Sequence, residues 1–235
     1  MPGAIADGVH LAGTLVRAGL LRPGRPDRSL RALVALHRWG PTLPASYTAA
    51  AARYPDAAAI VDELGTLTFA QVERRTNAIA RGLAGSGVRE GDGVAIMCRN
   101  HRWFVEASIA CAKLGANLIY LNTSFAGPQV ADVVAREAAR AVIFDAEFAS
   151  AVRAGIGSRT GFVAWTEEDE GTGWPSLQEL AASRIEEPLP PPAEPGRTVI
   201  LTSGTTGTPK GANRASPDSL APAAALLAAT PLRAG

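Results

Sequence analysis

Residues 94–98, 117–121 and 141–144 read VAIMC, NLIYL and AVIF. Each run has the length of a strand, and each is too continuously apolar for a strand with one wet face, so all three are expected to be buried on both sides. Between them lie helical stretches from about Trp103 to Leu114 and from Pro128 to about Ala139. Strand and helix taking turns in this way predict an α/β fold, a three-layer and mostly parallel sheet with helices on both faces.

Working upstream, a long helix runs from Gln71 to about Ala84, with Gly85 and Gly87 stopping it. Before it come short β pieces around Ile60-Val61 and Leu67-Thr68-Phe69, and a helix from Tyr47 to about Tyr54. Leu30, Leu33, Val34 and Leu36 predict a helix after the Arg22-Pro23-Gly24-Arg25-Pro26 break, and Ile5, Val9, Leu11, Leu15, Val16 and Leu20 predict another before it. Working downstream, Phe162 to Trp165 is a further strand, and the acidic run Glu167 to Glu170 reads as a solvated loop. The prolines of Pro188 to Gly196 remove donors and fix an extended backbone, which makes this stretch a connector. Thr198 to Thr202 is a buried strand, and the alanine-rich tail after Pro217 reads as a helix with proline in its first turn. The expected organisation is a helical extension over 1–41, an α/β subdomain over 42–187, the connector over 188–197, and the start of a further subdomain over 198–235.

A chain of 235 residues with 47% hydrophobic content can bury a full core. Its 23 Lys and Arg against 22 Asp and Glu leave a net charge of +1, so no broad field would gather nucleic acid. Cys98 and Cys111 stand apart in apolar surroundings without a CxxC pair or a nearby histidine, which argues against a zinc site or a disulfide framework and fits a reduced cytoplasm. The apolar first twenty residues lack a basic leader and are interrupted by Asp7, His10 and Arg17, so neither a signal peptide nor a transmembrane segment is expected. Their helix is read as packing on its own domain, with peripheral membrane contact as the lesser option.

The densest chemistry lies in Thr202-Ser203-Gly204-Thr205-Thr206-Gly207-Thr208-Pro209-Lys210-Gly211, directly after a buried strand. Glycines let the backbone turn sharply and bring N–H groups close to an anion, hydroxyls donate, and Lys210 supplies charge, so the loop suits phosphate. Lys210 is one of only two lysines in the chain, which makes its place in this loop more than compositional accident. The Walker pattern is excluded, since it needs glycine where Pro209 stands and a hydroxyl where Gly211 stands. The dinucleotide pattern is excluded too: Gly85-Ser86-Gly87 and Gly91-Asp92-Gly93 are followed by Glu90 and Ile96 where a third glycine is required.

Thr202 to Gly211 resembles the phosphate-binding signature of the adenylate-forming superfamily that includes acyl-CoA synthetases, luciferases and peptide-synthetase adenylation domains. Gly65 to Val72, Gly91 to Met97 and Ala112 to Ala116 are similar to the segments that precede that loop in the family, and Cys98 to Arg102 with Leu121 to Pro128 look most like its bacterial fatty-acyl-CoA branch. The resemblance covers nearly all of the chain from about Thr42. It implies a fatty-acid–CoA ligase: a fatty acid's carboxylate attacks the α-phosphate of Mg2+-bound ATP, and the acyl group then passes to coenzyme A. Carried over residue by residue, Thr202, Ser203, Gly204, Thr205, Thr206, Gly207 and Lys210 hold the β- and γ-phosphates.

The family's later segments, which carry the adenine-binding aromatic motif, the threonine-glutamate pair near magnesium, the ribose-binding aspartate and the lysine of the small mobile domain, are not found in these residues. The chain is therefore read as an N-terminal portion, inactive alone, that associates with the remainder. The alternative is a non-catalytic module that binds ATP or pyrophosphate weakly. Lys113 is read as a surface lysine of a helix, His101 as structural or surface, and Trp103 and Phe104 as core-facing helix residues. No residue is assigned to a metal, and none as catalytic.

Overall fold

The computed structural model describes residues 25–166, 173–183, 186–202 and 210–214. The expected first helix up to Leu20, the acidic run, the loop 203–209 and the tail after Pro217 lie outside the described residues.

Helices α1 (Pro26–Trp39) and α2 (Leu43–Arg53) precede the sheet and pack against each other. Proline in the first turn starts each of them, where its missing N–H costs nothing. Strands β1 (Ala58–Asp62) and β2 (Gly65–Thr68) pair antiparallel as a separate hairpin. Helix α3 (Phe69–Gly85) follows at once, because Thr68 accepts from the Gln71 N–H while the Gln71 side chain accepts from the Thr68 N–H. That capping box claims Phe69 for the helix, where its apolar character alone favoured the strand.

The main sheet contains β3 (Gly93–Met97), β4 (Asn117–Tyr120), β5 (Ala139–Phe144), β6 (Thr160–Val163), β7 (Thr198–Thr202) and β8 (Lys210–Arg214). Its order is β6-β5-β3-β4-β7-β8, with the first five strands parallel and β8 antiparallel at the edge. Helix α4 (Arg102–Lys113) joins β3 to β4, α5 (Gly127–Arg136) joins β4 to β5, and α6 (Ala149–Gly155) with a preceding turn of 3-10 helix joins β5 to β6. The short α7 (Leu177–Ala181) lies between β6 and β7.

Period-two alternation sorts the strand residues onto two faces. Val94, Ile96, Leu118, Ala141, Ile143 and Phe162 pack against Ile79 and Leu83 of α3, Trp103 and Ala107 of α4, and Leu177 of α7. Ala95, Met97, Ile119, Val142, Phe144 and Val163 pack against Val130, Val133 and Val134 of α5 and Val152 of α6. The three-layer, mostly parallel arrangement is thus present. Chain direction explains which face each helix covers: right-handed crossovers put α4 and α7 on one face as the chain moves toward β4 and β7, and α5 and α6 on the other as it moves toward β5 and β6.

Several boundaries differ from the sequence reading, and α6, α7 and β8 are additions to it, β8 taking in Lys210 and Gly211, which the sequence reading places in the loop. Helix α5 stops at Arg136 because Ala138 takes a positive φ of 50° and turns the chain straight into β5. The strand expected at 162–165 begins two residues earlier, where Thr160 and Gly161 pair with Ala141 and Val142. Gly87, at φ 95°, turns the chain beyond α3.

The proline-rich stretch is a strap tied to the α3 side of the sheet. The Glu90 carboxylate accepts from the Ala193 and Glu194 N–H groups at 3.1 and 2.8 Å, Arg81 donates to the carbonyls of Glu187 and Pro188, and Asn77 donates to that of Glu186 at 3.1 Å. At its end Gly196 lies so near Ala116 that a Cβ would sit 2.0 Å from the Ala116 carbonyl oxygen, so only glycine fits. From there β7 enters the sheet beside β4, with Leu118 opposite Thr198.

Candidate phosphate-binding site

The loop of interest leaves the sheet at the carboxyl end of β7. Thr202 and Lys210 are opposite each other in the β7–β8 register, so the first and last of the expected phosphate-binding residues close the base of a hairpin whose connection is 203–209. Ser203, Gly204, Thr205, Thr206 and Gly207 lie outside the described residues. What the fold fixes is the position of the loop's two ends. They stand on the edge of the sheet toward which all five parallel strands point, the edge where ligands bind in open parallel sheets.

The same edge holds the topological switch point. The chain leaves β3 toward β4 and leaves β5 toward β6, in opposite directions, so a crevice between the carboxyl ends of β3 and β5 is expected. Two side chains fill it. His101 Nε2 and Asp145 Oδ1 are 3.0 Å apart, and the second Asp145 oxygen accepts from the Arg99 N–H at 2.7 Å. Both side chains are more than nine-tenths buried, and Trp165 meets the imidazole edge-on at a ring separation of 5.2 Å. A carboxylate accepts, so the pairing puts a proton on Nε2, while Nδ1 is buried without a hydrogen-bond partner among the described residues. His101 is therefore buried in the crevice and not on the surface. Beside it, burial and the Asp145 charge push the Cys98 thiol well up from its ordinary range, which makes it a poor nucleophile. Arg99 and Glu147 pair at 2.8 Å over the outside, and Arg99 holds the Glu147 carboxyl below its usual value. Two strand spacings separate β3 from β7, about 10 Å, so this crevice and the base of the loop are neighbours on one rim.

Further back, three buried ionic contacts hold the scaffold under that rim. Lys113 is fully buried and donates to Asn77 Oδ1 at 2.6 Å and Thr76 Oγ1 at 3.0 Å, with Glu73 Oε1 at 2.9 Å. The surface reading of Lys113 is thus corrected: its position at the end of α4 faces α3, where three polar residues await it. Burial pushes its ammonium down, with Glu73 opposing the shift. Glu106 is fully buried, and its carboxyl is pushed up by burial even though Arg75 donates to it at 3.0 Å. Arg75 in turn lies 4.7 Å from the Trp103 ring centre, and Trp103 is in the core as expected, with Phe104 partly buried against it. Arg102 forks onto Asp62 and lowers that carboxyl to about 2. None of these pairings was read from the sequence. Their partners are 31 to 48 residues apart, and they become visible once β3 is known to lie beside β5, α3 beside α4, and the β1–β2 hairpin beside α4.

Among the described residues no cluster of three His, Cys, Asp or Glu could hold a metal ion. No helix among them is long and apolar enough to cross a membrane.

A parallel sheet of this order, with a Ser/Thr/Gly-rich loop sequence leaving its fifth strand, is the N-terminal architecture of adenylate-forming enzymes. Residues 47–229 match the AMP-binding enzyme family, and the chain belongs to it. It is 33% identical over 188 residues to long-chain fatty acid transport protein 1 of Rattus norvegicus, an overlap of 74% of this chain and 29% of that protein. A protein of Rhodopseudomonas palustris, provisionally described as a long-chain-fatty-acid CoA ligase, superposes with a TM-score of 0.68 at 25% identity, over 80% of this chain and 48% of that one. o-Succinylbenzoate CoA synthetase of Bacillus subtilis, solved with its acyl-adenylate, superposes with a TM-score of 0.56 at 25% identity, over 72% of this chain and 32% of that one. The chain thus spans about 30% of the length of the curated relative and less than half of the solved ones.

Proposed function

We propose that these residues are the N-terminal portion of an ATP-dependent fatty-acid–CoA ligase, and that Thr202, Ser203, Gly204, Thr205, Thr206, Gly207 and Lys210 hold the β- and γ-phosphates of ATP. The observation that carries this reading is the placement of the loop's ends: Thr202 and Lys210 paired at the carboxyl end of a parallel sheet, in a chain of the AMP-binding family. Backbone N–H groups and hydroxyls anchored at a strand end are preorganised donors, and one ammonium adds charge against the pyrophosphate that leaves. ATP with Mg2+ would supply the activated phosphoryl centre, and coenzyme A the thiol that accepts the acyl group. Among the described residues no group of three His, Cys, Asp or Glu converges on a site for Mg2+. The fatty acid as substrate rests on the names of the rat and Rhodopseudomonas relatives, while the Bacillus enzyme's o-succinylbenzoate shows that the family's acid varies. Two buried, free cysteines support a reduced cytoplasm as its compartment.

Residues 1–235 supply the phosphate loop and not the family's adenine, ribose and magnesium contacts. By themselves they are expected to make no acyl-CoA above background from ATP, Mg2+, a fatty acid and coenzyme A, and to need association with the remaining portion for turnover. Charge-assisted hydrogen bonds contribute roughly 1.5–3 kcal/mol each before the loop's ordering cost, so pyrophosphate should bind with a Kd of about 0.1–5 mM. Titration calorimetry with pyrophosphate tests the reading: Lys210→Ala and Thr206→Ala should each weaken binding. Micromolar binding indifferent to both substitutions would place the anion elsewhere. Turnover by these residues alone, abolished by Lys210→Ala, would overturn the division of labour. The second reading, a module that only binds ATP or pyrophosphate weakly, is favoured if turnover does not appear when the remaining portion is supplied.

A further inference from the structure

Strand β7 enters the sheet from a segment with few backbone donors of its own. Within 188–197, Pro188, Pro190, Pro191, Pro192 and Pro195 have no N–H, which leaves Leu189, Ala193, Glu194, Gly196 and Arg197. Three of those donors go to two side chains. The Glu90 carboxylate takes the Ala193 and Glu194 N–H groups, one on each oxygen. Asn117 Oδ1 takes the Arg197 N–H at 2.9 Å, and Asn117 Nδ2 donates to the Gly91 carbonyl at 2.6 Å.

Backbone bonds close the arrangement. The Gly91 N–H donates to the Gly115 carbonyl at 3.0 Å, the Asn117 N–H to that of Asp92 at 2.8 Å, and the Leu118 N–H to that of Arg197 at 2.9 Å. Glu90, Gly91, Gly115 and Asn117 thus form a clasp at the amino edge of β3 and β4, opposite the rim from which the loop leaves. It leaves no slack: a Cβ on Gly115, whose φ is 70°, would lie 2.6 Å from Pro192 Cβ and 2.9 Å from Glu90 Cγ.

The strand that follows has little else to fix its register. It pairs with β4 at Leu118–Thr198, Ile119–Val199 and Tyr120–Ile200, and its other neighbour, β8, is its own hairpin partner and would move with it. Val199 is fully buried while Ile200 is 41% exposed. A slip of one residue would turn Val199 out of the core and Ile200 into it, and would carry Thr202 about 3.3 Å along the strand direction. We propose that Glu90 and Asn117 are positioning residues: they set the register of β7 from the amino edge of the sheet and, through about 17 Å of extended chain from Arg197, the position of Thr202 at the base of the loop. The consequence for phosphate rests on the proposed role of Thr202 to Lys210; the register does not.

The test uses the full chain with Val199→Cys and a maleimide reagent, the labelled sites being read by peptide mass. Cys111, fully buried in α4, is the internal reference for unfolding of the whole domain. With the clasp intact, the thiol at 199 should react about as slowly as Cys111. With Glu90→Ala and Asn117→Ala added it should react roughly tenfold faster than Cys111, and pyrophosphate should bind roughly fivefold more weakly. Glu90 is exposed, so Glu90→Ala alone leaves the core intact and should give a smaller rise in the same direction. Glu90→Gln, which keeps one acceptor oxygen, should fall between Glu90→Ala and the parent. The proposal is overturned if labelling at 199 stays level with Cys111 in every variant, or if Cys111 accelerates to the same extent, which would make the clasp a prop for the whole domain. Faster labelling at 199 with unchanged pyrophosphate affinity would uphold the register and overturn its link to phosphate. A parent that binds no pyrophosphate, in a series where labelling still follows the clasp, would overturn the proposed role of the loop and uphold the clasp.

Discussion

The two faces of the sheet are covered by helices of similar number and different chemistry. Under α5 and α6 the contacts are aliphatic and aromatic: Val130, Val133, Val134 and Val152 on Met97, Val142 and Phe144. Under α3 and α4 an equally dense apolar set is interrupted by Thr76, Asn77, Arg102, Glu106, Ser108 and Lys113, all buried. Lys113, Thr76 and Glu106 bond α3 to α4, and others of the set bond outward to the flanking parts of the chain. Glu73, beside Lys113, also accepts from Thr48 of α2 at 3.1 Å, Asn77 reaches the strap, and Arg102 reaches the β1–β2 hairpin. The apolar face holds one layer to another, whereas the polar face ties in the pieces that flank the sheet, including the strap that delivers β7 and its loop. Burying charge is not the cheaper way to hold a helix down. Its use where peripheral segments meet shows that position, and not burial alone, is being specified.

The largest effect should come from the apolar face. Phe144→Ala removes a fully buried ring that meets Trp174 edge-on at 5.0 Å, and should destabilise the chain by about 3–5 kcal/mol in urea unfolding, with little dependence on pH between 5 and 8. A loss below about 1 kcal/mol would mean the face is far looser than its packing. On the polar face, Arg75→Ala leaves the Glu106 carboxyl buried without its cation. The cost should be about 3 kcal/mol, and most of it should return when Glu106→Leu is added. Absence of recovery would show that Arg75 acts through Trp103 and not through Glu106.

A smaller effect is a pH profile. Arg102 holds the Asp62 carboxyl at about 2, below its ordinary 3.8, so the folded chain binds fewer protons there than the unfolded one. The pair's stabilisation is present above pH 3.8 and is lost as pH falls through about 2. Urea midpoints measured downward from pH 4.5 should fall more steeply for the parent than for Asp62→Asn, and parallel profiles would remove the pair from the account of acid lability. The smallest effect should be a gain. Ala138 sits at a φ of 50°, which a Cβ disfavours, so Ala138→Gly should raise stability by roughly 0.5–1 kcal/mol. A loss there would show that the Ala138 methyl contributes more by contact than its backbone costs.

Much of this was legible beforehand where local patterns are strong. The runs at Val94, Asn117 and Ala141 were readable as buried strands because nothing polar interrupts them, and the stop of α3 was readable from its glycines. Helix α7 was not, because five residues carry too little periodicity, although Ser176 and Glu179 form a capping box that marks its start. Phe69 was misplaced because an aromatic residue after two strand formers reads as strand until the Thr68–Gln71 exchange is recognised. Lys113 was misjudged because a lone lysine on a helix carries no mark of which way it faces.

By itself the sequence determined the α/β class and most of the element types, and it marked out Thr202 to Gly211 as the segment proposed for phosphate, because propensity, periodicity and turn chemistry act over a few neighbouring residues. Tertiary structure alone decided that β5 passes β4 to lie on the other side of β3, that Asp145 therefore meets His101, that Lys113 is buried, and that Thr202 and Lys210 share the rim of the sheet with that pair. Those are consequences of strand order, and strand order is set by which crossovers bury both faces of the sheet at once, a condition on the whole chain that no window of a few residues contains.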